Sequence, residues 1–471
     1  MASSAVRALG KAARRGRAAR VHASNGNTSQ VLSELRARGL FDATTGEAAL
    51  ERALTESAQS VYCGFDPTAD SLHLGHLPSV IALEIFRRSG HTPIALIGGA
   101  TGRVGDPSGK SAERPLLSGH EVDANANCIG EQLKGMLGSD VDVRNNMEWF
   151  GGMGFVEFLR DVGKYARVGS MLAKDSVKSR IGSESEGMSF TEFSYQLLQA
   201  FDFLQLLRRA GTRVQLGGSD QWGNITAGTE LIRKVKGETE VHGMTFPLLE
   251  RADGTKYGKS EGGAIWLSSS LMSPYGLYQR LFRTEDADVC RCLRSLTLLP
   301  VHDIDAYEEQ LHIGSATPNE AQQRLAEEVV RFVHGESGLE QAKRATEVLK
   351  PGNDTPLDAE LLESMTSEAP CTTLERSQVV GAGLADVLVA CGMQPSKSAA
   401  RRLISQGGAR INNERLEEER ALDESDLLGG RIALLTSGKK NKRIVRLDDS
   451  ETQTDTIAED EVQRERQPAY L

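Results

Sequence analysis

The sequence predicts an α/β chain: a parallel sheet with crossover helices, followed by a helical region and a small mixed α+β module. Three observations predict it. Residues 61–230 alternate short apolar runs with amphipathic stretches in the order strand, helix, strand. Two apolar runs, "TPIALIGGATG" and "VQLGGSDQWGNI", enter Gly-rich polar turns, as strands of such sheets do where ligands bind. Residues 384–446 then read as helix, turn, helix and short strands.

The elements follow in order. "SVYCGF" reads as a strand and "LGHLPSVIALEIFRRSG" as a helix stopped at Gly90. "NEAQQRLAEEVVRFVHG" is helical in pattern, within a helical stretch 271–349. Residues 350–380 are rich in Pro, Thr, Ser and Glu with little periodicity and read as a linker. The module spans 381–447, and an acidic tail, 448–471, reads as disordered. The N-terminus carries Arg7, Lys11, Arg14, Arg15, Arg17 and Arg20, with no acid before Glu34; residues 1–30 read as a disordered transit peptide for an organelle, mitochondrial or plastid. The other reading of that segment is a basic arm that binds RNA.

Composition narrows the function. The chain has 471 residues, 39% of them hydrophobic, enough for several folded units. No stretch reaches about 18 consecutive apolar residues, so no membrane span is expected. The net charge of −10 confines any nucleic-acid surface to a local patch. The six cysteines form no C-x-x-C pair and no zinc spacing, so no protein-bound structural metal is expected.

The densest chemical signal is "YCGFDPTADSLHLGHL". His73 and His76 lie three apart at the start of a helix, on one face, where backbone N–H groups and the helix dipole suit phosphate. Gly75 between them lets a nucleotide approach the backbone, and Thr68 lies in the preceding turn. Downstream, "ADGTKYGKSEGG" presents Lys256 and Lys259 between glycines, with the Ser260 hydroxyl beside them. Such a loop can close over a triphosphate and neutralise departing pyrophosphate. "GDPSGKSAER" imitates a P-loop, but Val104 stands where the first glycine must be, so that reading is rejected. Lys110 and Arg114 of this loop remain available for phosphate contact. In "YQLLQAFDFLQLL", Tyr195, Gln199 and Asp202 fall at i, i+4 and i+7, which aligns three polar side chains on one face of an apolar helix. Polar groups on a buried stripe need partners, from the protein or from a ligand.

Together these residues resemble the tyrosine–tRNA ligases of the bacterial type, which are class I synthetases. "HLGH" is similar to their HIGH motif and "KYGKS" to their KMSKS loop, with Tyr257 and Gly258 departing from the strict pattern. "YCGFDPTADSLHLGH", "GGATGRVGDPSGK", "SFTEFSYQLLQAFDF" and "GGSDQWGNITAG" occur in the family's order. The resemblance spans about 31–446 and implies a Rossmann-like catalytic domain over 31–270 with a dimer-forming insertion near 155–190. It also implies that 271–349 is the anticodon-side helical domain and 381–447 an alpha-L RNA-binding domain. It assigns Tyr62 and Asp202 to the substrate phenol, and Tyr195, Gln199 and Asp106 to the α-ammonium. Cys63, Gly64, Asp66 and Asp220 are placed near the nucleotide, and Gln215 and Gln221 near tyrosine or the adenylate.

The implied partners are L-tyrosine, ATP arriving with Mg²⁺, and tRNA(Tyr), with a homodimer implied by resemblance. Residues 384–446 hold twelve basic and eight acidic residues. Arg401, Arg402, Arg410, Lys439 and Lys440 are the expected RNA contacts. Asn413-Glu414 departs from the Asn-Gly turn common in that domain. Two other readings stand at this point: a tryptophan–tRNA ligase, and a non-catalytic RNA-binding protein built on a synthetase scaffold.

Overall fold

The computed structural model describes residues 30–109, 117–181, 187–251, 254–255, 259–260, 263–350, 357–366, 368–438 and 441–448, with only the backbone at 259–260. The chain forms two compact units. One runs to Leu271 and includes Arg280–Val333; the other joins Met272–Gln279 to the chain from His334 onward.

The first unit is built on five parallel strands: β1 (Ser60–Phe65), β2 (Thr92–Ile97), β3 (Asp142–Asn145), β4 (Val214–Gly218) and β5 (His242–Phe246), in the order β3-β2-β1-β4-β5. Strands covered on both faces must be apolar throughout, which is why "TPIALI" and "HGMTF" carry no polar alternation. From β1 the chain winds one way to β2 and β3, then returns to the other side of β1 for β4 and β5. The order therefore reverses between β1 and β4. Their carboxyl ends open the crevice where such sheets bind ligands.

Two helices position the side chains of that crevice. Leu77–Arg88 has Pro78 in its first turn and buries Val80, Ile81, Leu83, Ile85 and Phe86. Gly90, at φ 88°, turns the chain after it into β2. Phe190–Ala210 starts at Ser189, whose hydroxyl accepts the Glu192 N–H, and stops at Gly211 in the left-handed region. Its first turn is anchored by a buried ion pair, Arg180 to Glu192 at 2.9 Å, with Arg180 also donating to the Gly187 carbonyl. A two-stranded ribbon, β6 (Lys259–Ser260) and β7 (Gly263–Ala264), completes the strands of this unit.

The second unit contains β8 (Cys371–Glu375), β9 (Ala409–Ile411), β10 (Glu414–Leu416), β11 (Ile432–Ser437) and β12 (Asn441–Asp448), ordered β10-β9-β11-β12-β8. The helices Leu384–Ala390 and Lys397–Ser405 pack Leu384, Val387, Leu388, Ala400 and Ile404 onto this sheet. The β9–β10 hairpin turns on Asn412 and Asn413, at φ 47° and 70°. Two consecutive positive φ values are the signature of a type I′ turn, and asparagine tolerates them better than other non-glycine residues. The turn thus sits one residue before Asn413-Glu414 and keeps its geometry without glycine.

Two expected boundaries are corrected. The helical stretch 271–349 is not one domain. Asp286–Leu296 and Val301–His312 belong to the first unit, where Asp286–Leu296 packs on Leu77–Arg88, whereas Met272–Gln279 and the chain beyond Val333 belong to the second. The long helix Glu320–Leu349 is broken at Gly335, φ 73° and ψ −176°. Nor is 350–380 a linker throughout: it holds the helix Ala359–Ser364 and β8, which pairs parallel with β12. An edge strand half-exposed on both faces shows no alternation, and its partner lies about 70 residues later, so composition alone reads it as loop. The transit peptide and the acidic tail beyond Asp448 lie outside the described residues. Among the described residues no helix is long and apolar enough to cross a membrane.

Candidate active site

The carboxyl ends of β1 and β4, the tip before Leu77–Arg88 and the face of Phe190–Ala210 enclose a cavity of about 310 Å³. That is the lower end of the range that small-molecule sites occupy. Tyr62, Cys63, Gly64, Asp66, Thr68, His73, Gly75, His76, Asp106, Tyr195, Gln199, Asp202, Gln215, Asp220 and Gln221 all line it. The sites expected from the sequence are thus brought together from six stretches of chain.

Tyr62 enters from β1 and lies in register with Gln215 of β4. Both are 1% exposed, and among the described residues the Tyr62 hydroxyl and Gln215 Oε1 have no hydrogen-bond partner. Buried polar atoms without partners are rare and costly, so each calls for a ligand or a water. Tyr62 packs its ring on Phe203 at 5.4 Å. Burial, then the charges of Asp202 and Cys63, raise its phenol well above the ordinary range, so it enters as a neutral donor and acceptor.

Asp202 is 3% exposed. Its Oδ1 accepts from Trp149 Nε1 at 2.8 Å and its Oδ2 from Asn146 Nδ2 at 3.1 Å. Burial pushes its carboxyl up to about 8; the Asn146 and Trp149 hydrogen bonds oppose that, and the charge of Asp66 adds to it. Asp66 accepts from Tyr195 Oη at 2.7 Å and from Thr101 Oγ1 at 2.7 Å. Asp106 accepts from the Ser108 N–H, from Gln221 Nε2 at 2.7 Å and from Asn224 Nδ2. Burial and then Asp66, Asp106 and Asp202 raise the Tyr195 phenol, whose hydroxyl donates to Asp66, so this side of the cavity is an acidic wall. Such a wall attracts a cation and repels anions.

The helix tip is arranged differently. His73 precedes a short 3₁₀ turn, Leu74–His76. His73 Nδ1 accepts the Gly75 N–H and His76 Nδ1 accepts the His73 N–H, each at 3.1 Å, and the rings stack at 3.9 Å. A nitrogen that accepts carries no proton, so in the neutral ring the N–H sits on Nε2 of both histidines. A Cβ on Gly75 would come to 3.0 Å from the His73 ring. The glycine makes room for the imidazole. Cys63 is buried and its thiol is pushed up to about 12, which makes it a neutral group in the wall.

Lys110, Arg114 and Lys256 lie outside the described residues, as do Lys439 and Lys440. Lys259 and Ser260 form β6, where only the backbone is described. Arg401, Arg402 and Arg410 are in the second unit, outside this cavity. Arg401 pairs with Glu419 at 2.6 Å and Arg410 donates to the Asn413 carbonyl, while Arg402 is exposed. Among the described residues no group of three or more His, Cys, Asp or Glu is placed to hold a metal ion.

Sequence reasoning missed the residues that hold the carboxylates: Thr101, Asn146, Trp149, Ser108 and Asn224. Asn146 and Trp149 sit at the exit of β3 in "RNNMEWF", and no periodicity marks them. The Asn146 side chain can be placed only once the sheet order is known.

An open parallel sheet, a histidine-bearing helix tip at its switch point and an acidic pocket beside it define a class I tRNA synthetase. Residues 55–349 match the family model described as tRNA synthetases class I (W and Y). Residues 361–445 match a model described as the tyrosine–tRNA ligase SYY-like C-terminal domain. The chain is 50% identical over 425 residues to a tyrosine–tRNA ligase of Protochlamydia amoebophila, covering 89% of this chain and 99% of that protein. It is also 50% identical over 428 residues to the chloroplastic/mitochondrial tyrosine–tRNA ligase of Arabidopsis thaliana, covering 88% of this chain and 83% of that one. A solved mitochondrial tyrosyl-tRNA synthetase of Aspergillus nidulans, C-terminally truncated, superposes with TM-score 0.59 at 34% identity, over 66% of this chain and 92% of that chain. The chain belongs to the tyrosine–tRNA ligase family.

The raised Asp202 carboxyl sets a pH dependence of stability. A folded-state value near 8 above an unfolded value near 3.8 gives stability that is present below about 3.8 and lost as pH rises through 8. Asp202→Asn removes that loss. Its melting temperature, relative to the unmodified ligand-free protein, is expected to rise more at pH 9 than at pH 5. Equal shifts at the two pH values would show that this carboxyl is not the one holding a proton.

Proposed function

We propose that this chain activates L-tyrosine with ATP, releasing pyrophosphate, and then passes the tyrosyl group to the 3′-terminal adenosine of tRNA(Tyr). The observation that supports this most is a pair of buried groups in one cavity that suit a phenol. The Asp202 carboxyl can share a hydrogen bond with the phenol O–H, and Tyr62, whose hydroxyl has no partner among the described residues, can donate to the phenol oxygen. Phenylalanine would leave both unsatisfied, and this enzyme class is itself the standard illustration of discrimination by that means.

In this reading Tyr195, Gln199 and Asp106 take the α-ammonium, within the acidic wall described above. Gln215 and Gln221 hold the tyrosyl or adenylate oxygens. Cys63, Gly64, Asp66, Thr68, Gly75 and Asp220 border the nucleotide. A tyrosine carboxylate oxygen attacks the α-phosphorus, and the bond to pyrophosphate breaks as the new one forms. His73 and His76 present Nε2–H donors to the charge that develops, and Lys256, Lys259 and Ser260, with Lys110 and Arg114, neutralise the departing pyrophosphate. Magnesium arrives with ATP. A ribose hydroxyl of tRNA then attacks the tyrosyl carbonyl and AMP leaves.

The second unit offers RNA the exposed Arg402, with Arg401, Arg410, Lys439 and Lys440. Arg401 is half committed to Glu419, but an exposed pair contributes little and exchanges readily for phosphate.

Pyrophosphate exchange tests the first step. Labelled pyrophosphate is expected to enter ATP with L-tyrosine and not with L-phenylalanine or L-tryptophan; exchange that does not depend on tyrosine refutes the assignment. In stopped flow, Lys259→Ala should slow adenylate formation by about 10²-fold or more with little change in tyrosine affinity.

A homodimer follows from the stretch 155–190, where Phe155 is 66% exposed, Val156 77%, Val168 60% and Phe190 66%. Large apolar residues left outside in one stretch of chain are what a subunit interface uses. Replacing Phe155 and Val156 by glutamate should halve the mass seen in sedimentation velocity; an unchanged mass in both proteins would remove this face from the interface.

The chloroplastic/mitochondrial name of the Arabidopsis relative and the basic, acid-free N-terminus support an organellar protein, in the mitochondrial matrix, the plastid stroma or both. A fluorescent fusion of residues 1–33 should collect in one of these; one that stays in the cytosol contradicts it.

A further inference from the structure

A chain of buried and half-buried hydrogen bonds links two carboxyl groups of the cavity wall, Asp202 and Asp66. Asn146 Nδ2 donates to Asp202 Oδ2 and to Thr101 Oγ1, each at 3.1 Å. Thr101 Oγ1 in turn donates to Asp66 Oδ1 at 2.7 Å, and Asp66 Oδ2 accepts from Tyr195 Oη. Asn146 is fully enclosed and Thr101 is buried; both line the cavity.

The direction of every bond is fixed. Asn146 Oδ1 accepts the Ala100 N–H at 2.7 Å, which settles the amide orientation: the reverse would set NH₂ against N–H and oxygen against carboxylate. Both amide hydrogens are then spent, one on each neighbour. Thr101 has a single hydroxyl proton, and its two neighbours differ: Asn146 Nδ2 donates to it, and the Asp66 carboxylate accepts. The proton goes to Asp66. The backbone is shaped to allow this. A Cβ on Gly98 would fall 1.9 Å from Asp66 Oδ1 and 2.3 Å from Thr101 Oγ1, so only glycine permits the Asp66–Thr101 contact. The neighbouring Asn145 side chain accepts the Met147 N–H and steadies the short helix Met147–Phe150 that carries Trp149.

We propose that Thr101 and Asn146 are positioning residues that couple recognition of the substrate's phenol at Asp202 to recognition of its ammonium beside Asp66 and Tyr195. The coupling rests on the tyrosine reading given above. Hydrogen bonds in a shared low-dielectric chain strengthen one another. An ammonium drawn to the acidic wall offsets the charge that Asp66 imposes on Asp202, which leaves Asp202 a better acceptor for the phenol. The phenol, by fixing the Asp202 carboxyl to which Asn146 donates, steadies Asn146 and through it Thr101 and Asp66. Each substrate group therefore binds more tightly when the other is present.

A ligand cycle measures this. Dissociation constants are determined by competition for L-tyrosine, L-phenylalanine, 3-(4-hydroxyphenyl)propanoate and 3-phenylpropanoate, which remove the phenol hydroxyl, the ammonium and both. In the unmodified protein the combined loss should fall short of the product of the single losses by a factor of about 5 to 30, as for groups in one network. Thr101→Ser, which keeps the hydroxyl, should retain that factor, and Thr101→Val should bring it close to 1. A factor of 1 in the unmodified protein, or an unchanged factor in Thr101→Val, overturns the coupling while tyrosine binding stands. Absence of tyrosine binding in the unmodified protein overturns the reading beneath it as well. Because the unmodified protein alone can return the negative result, the test holds even where Thr101→Val does not fold.

Discussion

One buried carboxylate governs the first unit. Asp202 sits in an apolar helix, between the core residues Phe201 and Phe203, where an uncompensated charge is expensive. Two neutral donors, Trp149 and Asn146, hold it, and among the described residues no arginine or lysine pairs with it. An ion pair would have stabilised the carboxylate more, but would have used up its capacity to accept from a ligand. The arrangement keeps Asp202 oriented and unsatisfied in strength. The ligand-free protein bears the cost of that, and a bound phenol relieves it. The helix Phe190–Ala210 must present this residue at one depth, which explains the attention given to its ends: a hydroxyl cap at Ser189, a buried Arg180–Glu192 pair and a left-handed glycine at Gly211.

The two ends of the cavity use opposite electrostatics. The amino-acid end is walled by Asp66, Asp106 and Asp202, with neutral phenols from Tyr62 and Tyr195. At the helix tip, both histidine Nδ1 atoms are occupied by backbone N–H donors, so in the neutral rings the proton sits on Nε2. A tip built this way gives hydrogen bonds to phosphate without demanding a protonated imidazole. Full positive charge must come from lysines and arginines elsewhere in the chain, in a protein whose net charge is −10. Under the proposed function, the acidic wall and the helix tip divide the ammonium and the triphosphate between two sides of one switch point.

Much of this was legible before the structure, for definable reasons. Tyr195, Gln199 and Asp202 announce themselves because helical spacing is local: three polar residues at i, i+4 and i+7 in an apolar run can face only one way. His73 and His76 are legible for the same reason, as is the stop at Gly90. What stayed hidden is long-range. Asn146 and Trp149 are ordinary residues until β3 is placed beside β2, which brings them against a helix some 50 residues later. β8 reads as linker in the sequence because its strand partner, β12, is remote and its own pattern is mixed. The division of 271–349 between two units depends on which sheet each helix meets, and helical periodicity carries no record of that.

The glycines after β2 show how a correct motif can be misread. "GGATG" followed by "GDPSGKS" has the look of a loop that cradles phosphate, and only the Val104 spacing argues against it. The geometry supplies a separate reason for the first glycine pair. A side chain at Gly98 would collide with Asp66 and Thr101, and one at Gly99 would come to 2.3 Å from Asn145 Oδ1. Gly98 thus leaves room for Asp66, just after β1, to meet Thr101 in the turn after β2, and Gly99 leaves room for the Asn145 side chain at the end of β3. A Gly-rich turn at the carboxyl end of a parallel strand therefore has two physical explanations. One is the approach of a ligand to backbone, and the other is the approach of two protein side chains to each other. At Gly98 the second kind operates, and the Asp66–Thr101 contact it permits belongs to the network that holds the acidic wall in place.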